Sequence, residues 1–118
     1  MRAILIDPHN QTIKELTLVG DTLQAYYDAI GCSLIDFAGE PNEFHTAYGD
    51  DEALSTREPD DPMIKASFYP ELLSGRILIV GFDPSDGSSG PATLSVEEIA
   101  EQVVFVVPAT YLLRKESE

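Results

Sequence analysis

Residues 20–37, GDTLQAYYDAIGCSLIDF, constrain the fold more than any other part of this chain, because they combine a helix start, a helix end and a strand. Asp21 and Gln24 have the spacing of a capping box, in which each side chain bonds to a backbone N–H group left free at the start of a helix. Gly31 stands where a chain leaving a helix often needs a left-handed conformation. These signals predict a helix over residues 22–30.

The residues inside and after this predicted helix indicate which sides are buried. Apolar side chains recur at the spacing that places them on one helix face, at Leu23, Tyr26, Tyr27 and Ile30. The run that follows, residues 32–37, is mostly apolar, and Asp36 is its only charge. Such a run predicts a mostly buried strand.

Short runs rich in β-forming residues recur along the rest of the chain, at residues 2–6, 11–19, 44–48, 63–69 and 76–82. The first two runs are separated by the turn-forming residues DPHN, and so short a connection predicts an antiparallel hairpin. The last run, RILIVGF, is the most apolar and lacks alternation. It therefore predicts a central strand covered on both faces.

A second well-marked helix is predicted towards the end of the chain. Ser95 and Glu98 have capping-box spacing, and the apolar stripe that follows predicts a helix over residues 96–104. The run VVFVV at residues 103–107 is also typical of a strand. Residues 70–75 predict a short helical turn closed by glycine.

The predicted fold class is α+β, with a mainly antiparallel sheet opened by the N-terminal hairpin and two principal helices, at about residues 22–30 and 96–104, packed on it. A chain of 118 residues with 43% hydrophobic content suffices for one domain, expected over residues 1–113. An acidic, proline-containing loop is expected at about residues 50–62, and a charged tail, residues 114–118, is expected to fray.

The sequence contains no signal for a membrane or for secretion. No apolar run is long enough to span a bilayer, and the first residues lead into a short strand instead of a signal-peptide core. The single cysteine, Cys32, cannot form an internal disulfide, which favours a reducing compartment. A soluble, cytoplasmic protein is therefore expected.

Charge is the extreme feature of the composition, with 21 acidic and 7 basic residues and a net charge of −14. Such a charge repels nucleic-acid phosphates and anionic membranes, which disfavours both as partners, and it attracts basic proteins. The acids concentrated in one part of the sequence define a candidate acidic interaction surface: Asp50, Asp51, Glu52, Glu58, Asp60 and Asp61. A solvated loop whose charge serves solubility is the alternative interpretation.

No motif in the sequence predicts a catalytic residue, a metal site or a bound cofactor. Cys32 and His45 are the one cysteine–histidine combination with any logic as nucleophile and base, but an apolar strand disfavours the thiolate. His9 is expected at an exposed turn, and the metal-ligand spacings HxH, HExxH and CxxC are absent. Residues 83–91, DPSDGSSGP, fit neither an EF-hand calcium loop nor a phosphate-binding loop.

The order of these segments resembles a known family. The opening MRAILIDPHNQTIKELTLVGD, the helix, the strand IGCSLIDF and the turn YGDDE are together similar to the domain of unknown function 3846 family, small domains carried by phages, plasmids and other mobile elements. The likeness covers the first half, with a looser likeness over RILIVGF and the last capped helix, and residues 57–62 depart from the pattern. The family has no established catalytic residues, and the resemblance implies an accessory, non-essential protein.

Two hypotheses about function follow. The first is a non-catalytic interaction protein whose acidic surface meets a basic protein, including one whose nucleic-acid site it occupies as a phosphate mimic. The second is a small-molecule or divalent-cation-binding domain, or an enzyme, that uses the loops around Asp50 and Asp83.

Overall fold

Eight strands and three short helices make up the part of the chain that the computed structural model describes, residues 1–106. The strands are β1 (Arg2–Asp7), β2 (Thr12–Thr17), β3 (Ile35–Phe37), β4 (His45–Asp50), β5 (Met63–Ala66), β6 (Ile77–Asp83), β7 (Ser88–Gly90) and β8 (Val103–Val106). The helices are α1 (Leu23–Ile30), α2 (Ala53–Thr56) and α3 (Val96–Ala100). The expectations for residues 107–113 and for the tail, residues 114–118, lie outside the described residues.

Antiparallel pairing joins most of the strands into one main sheet, in the order β2–β1–β6–β4–β3, with β7 also paired to β6. β5 and β8 form a second antiparallel sheet, extended by a bridge between Ile64 and Leu73. The hairpin of β1 and β2 opens the main sheet, as the short turn predicts. The predicted α+β class with a mainly antiparallel sheet is confirmed.

The side chains of β6 contribute to two apolar clusters, one on each face of the main sheet. Leu78 and Val80 pack in the cluster that contains the buried side of α1. Ile77 and Ile79 pack in the cluster that contains residues of β5, β8 and α3. Because successive side chains of a strand point to opposite faces, α1 covers one face of the sheet and the second sheet with α3 covers the other. The predicted central strand, covered on both faces, is confirmed.

The turn between β1 and β2 is held by Asp7, whose side chain is buried. Asp7 Oδ1 accepts the His9 N–H at 3.0 Å, and Asp7 Oδ2 accepts the Asn10 side-chain amide at 2.8 Å. Burial alone would raise the pKa of Asp7, but the hydrogen bonds and the Arg76 guanidinium, 3.5 Å away, hold it below its usual value. His9 is exposed at the turn, as predicted.

The start of α1 differs in detail from the prediction. The Thr22 hydroxyl, and not Asp21, accepts the N–H in the first turn at 3.2 Å. Asp21 instead accepts a hydrogen bond from Tyr26 Oη at 2.6 Å, and Gln24 bonds to a side chain further along the helix. The end of α1 is as predicted, because Gly31 has a φ of 81° and donates its N–H back to the last turn.

The second principal helix is shorter than predicted, and this boundary is corrected. α3 ends at Ala100, not near residue 104, and residues 103–106 form β8. Residues 103–106 are extended and not helical because β8 pairs along its whole length with β5 and because Val103 packs in the core. The β-branched valines of this run also favour a strand over a helix.

Two other segments form strand contacts that were not predicted. Residues 70–75 do not form a helical turn, because Leu73 exchanges two main-chain hydrogen bonds of 2.8 Å with Ile64. Residues 88–90, which belong to the segment DPSDGSSGP, fold back as β7 against the end of β6. In both segments, main-chain hydrogen bonds to a neighbouring strand determine the conformation.

The capping box of α3 is confirmed, and it gives a stability prediction. Ser95 Oγ accepts the Glu98 N–H at 3.1 Å, and Glu98 Oε1 accepts the Ser95 N–H at 3.1 Å. Ser95→Ala is expected to lower the free energy of unfolding by about 1 kcal/mol, as measured by urea denaturation. Glu98→Gln, which keeps an acceptor oxygen, is the control and should cost less. Equal losses in the two variants would contradict this account of the cap.

Candidate interaction cleft

A small cleft opens between the β3 edge of the main sheet, α2 and residues 69–74, and its volume is about 100 Å³. Three exposed apolar side chains line it, namely Phe37 (49% exposed), Leu54 (65%) and Leu72 (42%). The prediction of a mostly buried strand over residues 32–37 is therefore wrong, because β3 has only 3 residues and lies at the edge of the sheet. Four carboxylates line the cleft as well: Asp36, Asp50, Asp51 and Glu71. We call this site, whose lining includes these seven residues, the acidic cleft.

Close packing of small residues positions the elements around the acidic cleft. A Cβ atom added at Gly49 in β4 would lie 2.8 Å from Ile77 Cδ1, so glycine lets β6 approach at this point. Ala53 is buried at the start of α2, and a Cβ atom added at Gly75 would lie 3.2 Å from it. α2 and residues 69–75 therefore approach each other closely, which sets the width of the cleft.

Exposed apolar side chains are concentrated at the acidic cleft. Residues 1–106 contain eight large apolar side chains that are exposed, and three of the eight line this one site. Single exposed apolar side chains are normal on a protein surface, but a group of them beside a polar rim is typical of a binding surface. The cleft is therefore a candidate interaction site.

The negative charge of the acidic cleft is not neutralised by the arginines of the described chain. None of the basic residues within residues 1–106 lines the cleft. Arg2 pairs with Glu15 at 3.1 Å, and Arg76 pairs with Asp7 at 3.5 Å. Arg57 donates to main-chain carbonyl oxygens of the loop after α2.

Asp36, Asp51 and Glu71 are exposed, whereas Asp50 is half-buried and its Oδ1 accepts the Glu52 N–H at 2.9 Å. The charge of the three exposed carboxylates is thus available to a partner.

The candidate surface predicted from the sequence is divided in the structure. Asp50 and Asp51 line the acidic cleft. The others lie outside its lining: Glu52, Glu58, Asp60 and Asp61. Asp61 Oδ2 accepts the Glu58 N–H at 2.8 Å, so part of this charge organises the loop that follows α2.

Sequence reasoning missed Asp36 and Glu71, which complete the acidic part of the cleft. Each is a lone acid between apolar residues in the sequence, and neither belongs to an acidic run. Asp36 reaches the site because it pairs with Gly49, next to Asp50, across β3 and β4. A single acid within an apolar run was the only local signal that could have identified them.

The side chain of His45 holds the loop that precedes α3 through hydrogen bonds. It is 1% exposed, and its Nδ1 lies 2.8 Å from Asn42 Oδ1. Its Nε2 accepts the Thr93 N–H at 2.9 Å and the Leu94 N–H at 3.3 Å. Because Nε2 accepts these bonds, we assign the proton of a neutral ring to Nδ1.

The pairing of Cys32 with His45 as nucleophile and base gains no support. Burial lowers the pKa of His45, and nearby Arg2 adds to this effect, although Glu98 opposes it. Burial and the neighbouring Asp50 carboxylate raise the pKa of Cys32, which disfavours the thiolate. Both ring nitrogens of His45 are already engaged, so the ring has no position from which to activate a thiol.

The loop after β6 is organised by its own side chains. Asp83 Oδ1 accepts the Ser85 N–H at 2.9 Å, and Asp86 Oδ1 accepts the Ser88 N–H at 2.9 Å. Hydrogen bonds from the Ser88 hydroxyl and N–H lower the pKa of Asp86. Asp83 and Asp86 thus stabilise the conformation of this loop. No group of three His, Cys, Asp or Glu side chains within residues 1–106 is placed to hold a metal ion.

The fold and the acidic cleft define a class: a small α+β domain with an exposed apolar cleft lined by carboxylates. The longest helix described, α1, has 8 residues, and no helix within residues 1–106 is long and apolar enough to cross a membrane. The chain belongs to the family described as Domain of unknown function (DUF3846), whose model matches residues 1–104. The match confirms the resemblance and extends over residues 57–62. A search of curated proteins and a search of solved structures found no match.

Proposed function

We propose that this protein is a non-catalytic interaction module whose acidic surface engages a basic protein partner. The supporting observation is the acidic cleft, where four carboxylates lie beside exposed apolar side chains. Charge gives such a site its choice of partner, and apolar contact gives it affinity. Neither requires a reaction or a cofactor.

The net charge of −14 supports a basic protein as the class of partner. It repels phosphates and anionic lipid surfaces, and it speeds the encounter with a positively charged protein. A basic protein that binds nucleic acid is one such partner, since carboxylates can occupy its phosphate-binding positions. The proposal includes a cytoplasmic location and an accessory role in the mobile elements that carry the family.

The proposal predicts that the charge of a ligand and the salt concentration govern binding. Short randomised peptides selected on the immobilised protein at low salt are expected to be rich in lysine and arginine. Their affinity is expected to fall several-fold as ionic strength rises from about 10 mM to about 150 mM, because the Debye length shortens from about 30 Å to about 8 Å. Fluorescence anisotropy measures the change, and duplex DNA is the non-binding control.

Two results would contradict the proposal. One is the selection of peptides without excess basic residues. The other is an affinity that stays constant over this range of salt.

A further inference from the structure

We infer that the acidic cleft binds a peptide segment that inserts one apolar side chain and carries lysine or arginine on both sides of it. This inference rests on the proposed function. It adds the location of the site, the apolar anchor and the residues that contact each part of the segment.

The volume of the acidic cleft fits a side chain and not a cofactor. Pockets for small molecules and cofactors measure about 300–1,000 Å³, whereas the cleft measures about 100 Å³. One water needs about 10–15 Å³ of such space. The cleft therefore accommodates about seven to ten waters, or one apolar side chain that displaces them.

The apolar side chains of the cleft determine what the segment inserts. Phe37, Leu54 and Leu72 come from β3, from α2 and from residues 69–74, so an inserted side chain contacts three separate parts of the chain. All three are exposed without a partner molecule. Covering them removes apolar surface from water, which is the main source of affinity at small interfaces.

The carboxylates determine what lies on either side of the anchor. Asp36 is in β3, Asp50 is the last residue of β4 and Asp51 follows it, and Glu71 is in the segment of residues 69–74. They thus approach the cleft from different elements instead of following one strand. A segment with basic residues on only one side of its anchor would leave part of this charge unpaired.

Side chains, not main-chain pairing, hold the bound segment. β3 is an edge strand of only 3 residues, and Asp36 Oδ1 accepts the Phe37 N–H at 2.9 Å. This main-chain donor is therefore already bonded within the protein. Short edge strands protected in this way resist the addition of another strand.

The test titrates isotopically labelled protein with peptides of the form KKGXGKK, in which X is leucine, phenylalanine or serine. At low salt, the leucine and phenylalanine peptides are expected to bind about tenfold more tightly than the serine peptide, a difference of about 1.4 kcal/mol. The amide signals that shift are expected to belong to residues 36–38, 49–54 and 69–74. Chemical shifts of the full chain measure both affinity and location.

A pair of leucine variants tests the anchor site. Leu54→Ser is expected to abolish the preference for an apolar X. Leu23→Ser is the matched control, because Leu23 is also an exposed helical leucine, at 54% against 65% for Leu54, but lies outside the cleft. Circular dichroism verifies that both variants are folded.

A pair of double variants tests the charged part of the site. Asp51→Asn with Glu71→Gln is expected to weaken all three peptides several-fold. Asp28→Asn with Glu101→Gln removes the same charge outside the cleft and is expected to have a smaller effect. Equal weakening by the two double variants would show that overall charge, and not the cleft, attracts the segment.

The outcomes separate this inference from the proposed function. If basic peptides bind but the serine peptide has the same affinity as the leucine peptide, the inference is wrong and the proposed function stands. The same holds if the shifted amide signals belong to residues outside the cleft. If no basic peptide binds at low salt, both are wrong. If Leu54→Ser changes the oligomeric state in sedimentation, a second copy of the chain occupies the cleft, which overturns the inference.

Discussion

Replacing Gly81 by alanine is expected to lower the free energy of unfolding by about 1–3 kcal/mol, the usual cost of forcing an extra methyl group into a packed site. Gly81 lies in β6 opposite Gly90 of β7. A Cβ atom added there would lie 2.3 Å from the Pro91 carbonyl oxygen and 3.0 Å from that of Gly90. Both obstacles are backbone atoms, so the hairpin itself must move. Urea denaturation followed by circular dichroism measures the loss.

Gly90→Ala is the matched control for this prediction. Gly90 lies in the same pair of strands, its φ is not positive, and no atom lies within 4 Å of the position its Cβ would take. Its substitution should leave stability unchanged or raise it slightly, because alanine lowers the entropy of the unfolded chain. Comparable losses in both variants would mean that the close approach of Pro91 is not the cause.

Removing the imidazole of His45 is expected to have a comparably large effect. His45→Leu keeps a side chain of similar bulk but leaves the Thr93 and Leu94 N–H groups without the acceptor at Nε2. Losing these two partly buried hydrogen bonds is expected to cost about 1–3 kcal/mol. His45→Gln, which places an oxygen acceptor near the same point, is expected to recover part of the loss. Urea denaturation at neutral pH compares the three proteins.

The pH dependence of stability gives a second measurement on His45. Burial lowers the pKa of His45 below its usual value of 6.5, so the unfolded chain binds a proton at this residue before the folded chain does. The contribution of neutral His45 to the free energy of unfolding is complete above pH 6.5. It is lost as the pH falls from there through the pKa of His45 in the folded state. His45→Gln should lack this decline. If the free energy of unfolding falls with the same slope in both proteins between neutral pH and about pH 5, the decline is caused by other groups.

The elements that sequence reasoning located correctly are those specified by neighbouring residues. Gly31 ends α1, and Ser95 with Glu98 starts α3, because each signal acts through hydrogen bonds or backbone angles within a few residues. The apolar run of β6 also marks a strand covered on both faces, because the lack of polar alternation is a pattern of neighbouring residues. Such local information is sufficient for the order of the main elements and for the fold class.

The parts that could not be predicted depend on distant segments. The end of α3 and the start of β8 are decided by pairing with β5, some forty residues earlier in the chain. The acidic cleft combines Asp36, Asp50 and Glu71 from three separate segments. Of these three, only Asp50 lies in the acidic run from which the interaction surface was predicted. Local patterns locate single acids, and the tertiary fold decides which of them meet.

The main sheet also separates two parts of the molecule that share no core residue. Ala38 and Ile77, which line the acidic cleft, belong to the cluster beneath the second sheet, whereas Ile30 of α1 belongs to the cluster on the opposite face. Substitutions on opposite faces are expected to act additively, since distant side chains without shared partners rarely couple. The helical side can therefore diverge among relatives while the geometry of the cleft is preserved.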